Sequence, residues 1–164
     1  MKTLTRNNAF TLVEVTLALG VALFCLITVF ALLPTGVNSN KASLEQTAAT
    51  SVLRAITADL RATPNPLPYQ AQTSAQFGIS IPAAGEPPAP VPPLPIYIGE
   101  NEQSGTSLAS VTNPRYLLSV WMTPPTAAGS RQATLARLLL TWPSAATTTN
   151  ALGSVETVIA LDRN

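Results

Sequence analysis

The sequence predicts an α+β fold, in which one long N-terminal helix packs on a small antiparallel β-sheet. Three observations lead to this prediction. An apolar run over residues 10–33 is followed directly by an amphipathic segment, so helical periodicity continues to about residue 63. Three stretches with strand-like patterns, separated by turn signals, follow in the C-terminal part. At 164 residues the chain is long enough for one small core behind that helix.

The composition excludes most enzyme classes. The chain has no histidine, and its single cysteine, Cys25, lies inside the apolar run. It therefore cannot form an internal disulfide, a Cys/His metal site, a Ser-His-Asp or Cys-His nucleophile, or a histidine-bound catalytic zinc. A net charge of +1 with only 10% charged residues gives no sign of a nucleic-acid partner. We expect a protein that is not an enzyme and that has no cofactor, no bound metal and no nucleic-acid partner.

Residues 1–9 form a short polar leader, in which Lys2 and Arg6 are basic and no residue is acidic. Residues 10–33 have the length and composition of a transmembrane helix, since such a helix is about 36 Å long and a hydrocarbon core is about 30 Å thick. The basic leader predicts that the N-terminus stays in the cytoplasm and that the C-terminal part is translocated.

Glu14 is the only charged residue of this run. A carboxylate inside a membrane helix costs about 2.5–3.5 kcal/mol, so its presence suggests a function. A cleaved secretory signal peptide fits poorly, because its apolar region spans only about 7–15 residues and residues 31–35 offer no good small-x-small cleavage site. A plain single-span anchor explains the length of the run but leaves Glu14 unexplained.

The segment 9–14, AFTLVE, resembles the processing site of type IV prepilins and pseudopilins. In that family a prepilin peptidase/methyltransferase cuts on the cytoplasmic side after a small residue, usually glycine, and methylates the new amine. The resemblance implies cleavage between Ala9 and Phe10, methylation at Phe10, and an assembly role for Glu14. Glu14 lies four residues beyond Phe10 and hence on the same helix face. In the family this glutamate is thought to pair with the amine of a neighbouring subunit.

Residues 34–63 are predicted to form the amphipathic outer half of the same helix. Pro34 either bends the helix or ends its membrane part, and the sequence leaves both alternatives open. An apolar stripe recurs every four residues, with Leu53 beside it: Leu44, Ala48, Val52, Ile56 and Leu60. Two prolines, Pro64 and Pro66, end the helix.

Residues 64–164 are predicted to form a β-rich globular part. The five expected strands cover residues 77–81, 96–98, 115–122, 133–142 and 154–161, of which the last three form an antiparallel meander. Within the proline-rich loop 82–95, residues 86–95 are expected to be extended and exposed, as a stiff connection or as a recognition segment.

Two features of this part raise the question of ligands. Glu100 and Glu102 flank Asn101, but two carboxylates without further aspartates predict a solvated loop rather than a calcium site. Trp121 and Trp142 are interpreted as core or sheet-face residues.

Several segments together resemble a narrower group of pilin-like proteins, the Verru_Chthon cassette protein B family. The segments are 10–20, 32–36, 58–63, 140–143 and 160–164. This resemblance implies a pilin-like fold and a pseudopilin of a diderm bacterium, held in the inner membrane by a single pass with its C-terminal part in the periplasm. Its implied partners are the lipid bilayer and other pilin-like subunits, contacted through the N-terminal helix in a type II secretion or type IV pilus-like fibre. The alternative is a binding module on an uncleaved single-span anchor.

Overall fold

The computed structural model of the chain describes residues 11–63, 70–87, 95–126 and 133–161. The chain divides into two compact units, Met1–Leu44 and Glu45–Asn164. One helix, α1 (Leu12–Ala62), provides the described part of the first unit and the first element of the second.

In the first unit, α1 carries apolar side chains on all its faces, and these are exposed from Leu12 to Val37. Pro34 lies inside the helix and does not end it. A proline removes one N–H donor and one hydrogen bond, and here the bonds on either side keep the backbone helical. The helix therefore does not end at Pro34, and where its membrane part ends stays a prediction.

The described part of the second unit holds seven strands behind the helix. They are β1 (Gln72–Thr73), β2 (Ser80–Ile81), β3 (Ile96–Gly99), β4 (Ser104–Gly105), β5 (Pro114–Thr123), β6 (Thr134–Trp142) and β7 (Gly153–Leu161). All pairings are antiparallel: β1 and β2 form a ribbon, and the others form a five-stranded sheet in the order β4-β3-β5-β6-β7. The α+β class and the C-terminal meander are confirmed.

The C-terminal part of α1 shares one apolar core with the sheet. Val52, Leu53, Ile56 and Leu60 are buried there, as their spacing predicted. Leu44 was wrongly assigned to the stripe, because it is 64% exposed and precedes the second unit. Ala48, which was assigned to the same stripe, is only half-buried, and Ala49 is fully buried instead.

Burial alternates along β6 as its sequence predicted. Ala136, Leu138 and Leu140 are fully buried, whereas Leu135 and Arg137 lie on the exposed face. The buried set faces the core that contains the helix stripe, because side chains of a strand alternate between the two sheet faces.

The shorter strands were predicted less well. The strand expected over residues 96–98 is present as β3, but the one expected over 77–81 shrinks to β2. Gly78 adopts a positive φ of 65°, and its N–H donates to the Ser74 carbonyl oxygen, which makes this stretch a turn. The strands β1 and β4 were not expected, since two residues carry no readable alternation. Residues 88–94 of the predicted proline-rich loop lie outside the described residues.

Candidate functional site

The N-terminus of α1 is capped by Thr11. Its hydroxyl oxygen accepts a hydrogen bond from the Glu14 N–H at 3.3 Å, and its carbonyl oxygen accepts from the N–H groups of Glu14 and Val15 at 3.0 and 3.2 Å. Glu14 therefore lies in the first helical turn, where the positive end of the helix dipole favours a carboxylate. Ala9 and Phe10, the two predicted processing residues, lie outside the described residues.

The sequence analysis missed the role of Thr11. A signal was present, because Thr11 and Glu14 have the three-residue spacing of a capping box. The observed hydroxyl bond is the half of that motif in which the threonine accepts from the backbone N–H of Glu14.

The surface of α1 behind this cap is suited to lipid. The most apolar window of the helix has a mean hydropathy of 2.7, and none of that window is buried within the protein. By length and composition the helix is able to cross a membrane. Large apolar side chains stay exposed on every side, from Leu17 at 70% to Phe30 at 64%. A contiguous apolar surface of this extent indicates contact with a membrane or with other helices.

The hydroxyl groups of this segment satisfy their own hydrogen bonds. Thr16 donates to the Val13 carbonyl oxygen at 2.9 Å, and Thr28 donates to the Cys25 carbonyl oxygen at 2.8 Å. Such internal bonds keep a hydroxyl compatible with hydrocarbon. The Glu14 carboxylate differs, because no described residue donates a hydrogen bond to it or pairs with its charge.

Glu14 borders a shallow hollow on one face of the helix. Ala18 and Ala22 follow it at intervals of four residues and line the same hollow. Small residues on one face allow a second helix to approach closely in a membrane. The chemistry available here is that of an acceptor: a carboxylate at the end of a close-packing face, able to receive an amine or another cation from a neighbouring helix.

In the second unit, Arg115 on β5 joins the helix to the sheet. Its guanidinium binds both carboxylate oxygens of Glu45 on α1, at 2.6 Å from Nη2 and 3.2 Å from Nε, and also binds Glu100 at 3.2 Å. The hydrogen bonds that Arg115 donates to Glu45 raise the pKa of the Arg115 guanidinium above its usual value. This cluster stabilises the fold, since all its charges are already paired.

The carboxylates considered for calcium are engaged elsewhere. Glu100 pairs with Arg115, and Glu102 accepts a hydrogen bond from the Gln76 amide at 3.1 Å. In the described ranges, no three Asp, Glu, Cys or His side chains lie together in a way that could hold a metal ion.

Asp59, near the end of α1, binds backbone rather than a ligand. Its carboxylate accepts from the N–H of Gln76 at 3.1 Å and from the N–H of Phe77 at 3.0 Å. These bonds attach the β1–β2 ribbon to the helix. Sequence reasoning could not find them, because the partners lie 17 and 18 residues apart without a local motif.

The two tryptophans lie on the sheet, as predicted. The Arg137 guanidinium lies 5.0 Å from the centre of the Trp121 ring and donates a hydrogen bond to Glu156. That bond holds the pKa of Glu156 below its usual value. Trp142 meets Tyr116 edge to face, with 6.3 Å between ring centres.

Tyr116 is a buried residue, 2% exposed, whose hydroxyl group lacks a hydrogen-bond partner among the described residues. Burial raises the pKa of its phenol. A buried hydroxyl without a described partner lowers stability, because its desolvation is not offset by a hydrogen bond.

Comparison with protein-family models, with curated proteins and with solved structures finds no match for this chain.

Proposed function

We propose that this chain is a non-enzymatic structural subunit, made as a prepilin and assembled through its N-terminal helix into a type II secretion or type IV pilus-like fibre. In this proposal the peptidase cleaves after Ala9, Phe10 becomes the methylated N-terminal residue, and the protein waits in the inner membrane with its globular part in the periplasm. The resemblance of segment 9–14 to prepilin processing sites supports it.

The observation that carries the proposal is the Glu14 carboxylate, which has no partner among the described residues. It lies in the first turn of a helix whose other described polar side chains near that end form internal hydrogen bonds. Phe10 and Glu14 are four residues apart, so they share a helix face. The amine that cleavage would create at Phe10 of a neighbouring subunit carries a positive charge, which makes it a suitable partner for the Glu14 carboxylate. Pairing in the assembly offsets the cost of about 2.5–3.5 kcal/mol for a lone membrane carboxylate.

The second unit is suited to a structural role. Its ion pair between Arg115 and Glu45 and its apolar core tie residues 45–62 of α1 to the sheet. A subunit of a fibre needs such a connection, because force applied to the helix has to be transmitted to the outer part.

Mass spectrometry of the N-terminus tests processing. The full chain is expressed in cells with an active prepilin peptidase and, as the matched control, in the same cells without it. Methylated Phe10 in the first strain only is the expected result. An intact Met1 in both strains contradicts the proposal and favours the uncleaved anchor.

Assembly is tested separately with Glu14→Ala. We expect normal membrane insertion but about tenfold less incorporation into sheared fibres or cross-linked assemblies, equivalent to about 1.4 kcal/mol. Thr16→Val is the matched control, because its hydroxyl bonds within the helix. Equal incorporation of both variants contradicts the role of Glu14.

A further inference from the structure

The strand β7 forms an open edge of the five-stranded sheet. It pairs with β6 in unbroken register from Gly153 to Leu161, and in the described ranges no strand pairs with its other side. Natural edge strands are usually protected by proline, lysine, a bulge or great shortness. β7 has nine residues without proline, lysine or a bulge, and its one charged side chain, Glu156, is paired with Arg137 of β6. The N–H and C=O groups on its outer side form no ladder with any described strand and are therefore a template for an added strand.

An open groove runs along this edge. Its volume is about 690 Å³, and it lies between residues 50–61 of α1 and residues 155–159 of β7. Leu53 and Ile159 form its apolar floor, with exposures of 5% and 7%. The helix thus leaves the edge uncovered and provides a wall against which alternate side chains of an added strand can pack.

The charge of the groove identifies the kind of occupant. Arg54 and Arg61 line it, both are exposed, and neither forms an ion pair with a described residue. The carboxylate in the lining, Glu156, is already bound to Arg137. Among the described residues, no carboxylate neutralises these two arginines, so the described lining of the groove carries excess positive charge.

The spacing of the arginines limits the pattern of the occupant further. Seven residues of helix rise about 10.5 Å, which is about three residues of extended chain. The nearest spacing that returns to the same side of a strand is four residues, about 13 Å, and the long arginine and glutamate side chains can span the difference. Side chains four residues apart point to the same side of a strand. Two carboxylates at that spacing match the two guanidinium groups.

We propose that the free edge of β7 binds an extended, acidic segment of a partner protein as an added sixth strand, with two of its carboxylates on Arg54 and Arg61. Main-chain hydrogen bonds to β7 supply most of the affinity, and the two arginines select acidic over basic segments. This site is separate from the N-terminal assembly face, and it is present whether or not the N-terminus is processed.

The test uses the full chain in phosphatidylcholine nanodiscs and a labelled eight-residue peptide of valine and threonine with two glutamates four residues apart. We expect saturable binding by fluorescence anisotropy, weaker at high salt, and slower hydrogen exchange of β7 amides. Arg54→Glu and Arg61→Glu are each expected to weaken binding about fivefold. Lys41→Glu is the matched control, because Lys41 is an exposed cation of α1 that does not line the groove.

Two altered peptides separate the parts of the proposal. A peptide N-methylated at alternate amides loses the main-chain bonds and is expected not to bind, and a peptide with lysine for glutamate is expected to bind at least tenfold more weakly. Equal binding of either altered peptide overturns the proposal. So does an absence of binding up to about 1 mM, or self-association of the chain through β7 that the acidic peptide does not compete with. Unchanged tryptophan fluorescence shows that each variant is folded.

Discussion

Gly153 lies directly opposite Trp142 in the β6–β7 ladder, and the indole covers the space where a side chain would begin. A Cβ added at Gly153 would lie 2.3 Å from Cζ2 and 2.6 Å from Cε2 of Trp142. Ordinary carbon contacts are about 3.5–4.0 Å, so the ring or the strand must move by more than about 1 Å. The ring cannot move freely, because its edge-to-face contact with Tyr116 fixes it from the other side. We expect Gly153→Ala to lower the free energy of unfolding by about 1–3 kcal/mol.

A second background gives the control. Trp142→Leu removes the indole atoms that the new Cβ would meet, while it keeps an apolar side chain there. In that background Gly153→Ala is expected to stabilise by about 0.5–1 kcal/mol, because alanine loses less backbone entropy than glycine on folding.

The assay is urea unfolding of the full chain in detergent micelles, followed by the fluorescence of Trp121, which is present in every variant. A change of sign between the two backgrounds is the expected result, and a double-mutant cycle gives the coupling energy. If Gly153→Ala costs the same in both backgrounds, the indole is not the cause and the reasoning is refuted.

Three further predictions concern charged and polar groups of the second unit. Glu45→Gln should lower the free energy of unfolding by about 1–2 kcal/mol, because it weakens two charge-assisted hydrogen bonds of a side chain that is only 21% exposed. Glu100 is the more exposed partner of Arg115, so Glu100→Gln should lower the free energy of unfolding by less than about 0.5 kcal/mol in the same urea assay. Tyr116→Phe should leave stability unchanged or raise it by up to about 1 kcal/mol, because its hydroxyl is buried without a partner; a loss above that size would reveal a hydrogen bond. The lowered pKa of Glu156 makes its ion pair stabilising above the unfolded-state value and progressively less so as the pH falls through the folded-state value. Wild type and Glu156→Gln should therefore differ at pH 7 and converge as the pH falls through the folded-state pKa, which lies below the usual glutamate value, and a difference that stays constant during acid titration would contradict the pair.

The sequence predicted those parts of the fold that depend on local periodicity. Val52, Ile56 and Leu60 were identified as core because their spacing repeats with the helix. The same rule failed at Leu44, since a stripe in the sequence does not show where its packing partner begins. The sequence also left open whether the helix continues through Pro34. The proline costs one backbone hydrogen bond, and the sequence does not show whether the neighbouring residues stabilise the helix enough to offset that cost.

The candidate site divides in the same way. Glu14 was found because a charge in an apolar run stands out in the sequence, and so its place in the first turn follows from spacing. The cluster of Arg115 with Glu45 was not found, because 70 residues separate the two and both look like ordinary surface charges. The groove beside β7 could not be predicted either, because local sequence patterns determine neither the order of the strands nor the position of the helix along a sheet edge.

The long separation in sequence between α1 and the strands that cover it also affects the protein during its synthesis. Ile56 leaves the ribosome long before Leu138, its companion in the core, and at about 5–20 residues per second the interval is of the order of several seconds. During that time the apolar stripe of α1 has no sheet to cover it, although the N-terminal apolar run, which is able to span a membrane, has already been made. We expect the stripe to rest on the lipid surface or on a chaperone until the meander is complete, and the nascent chain to be most vulnerable to proteolysis in that interval.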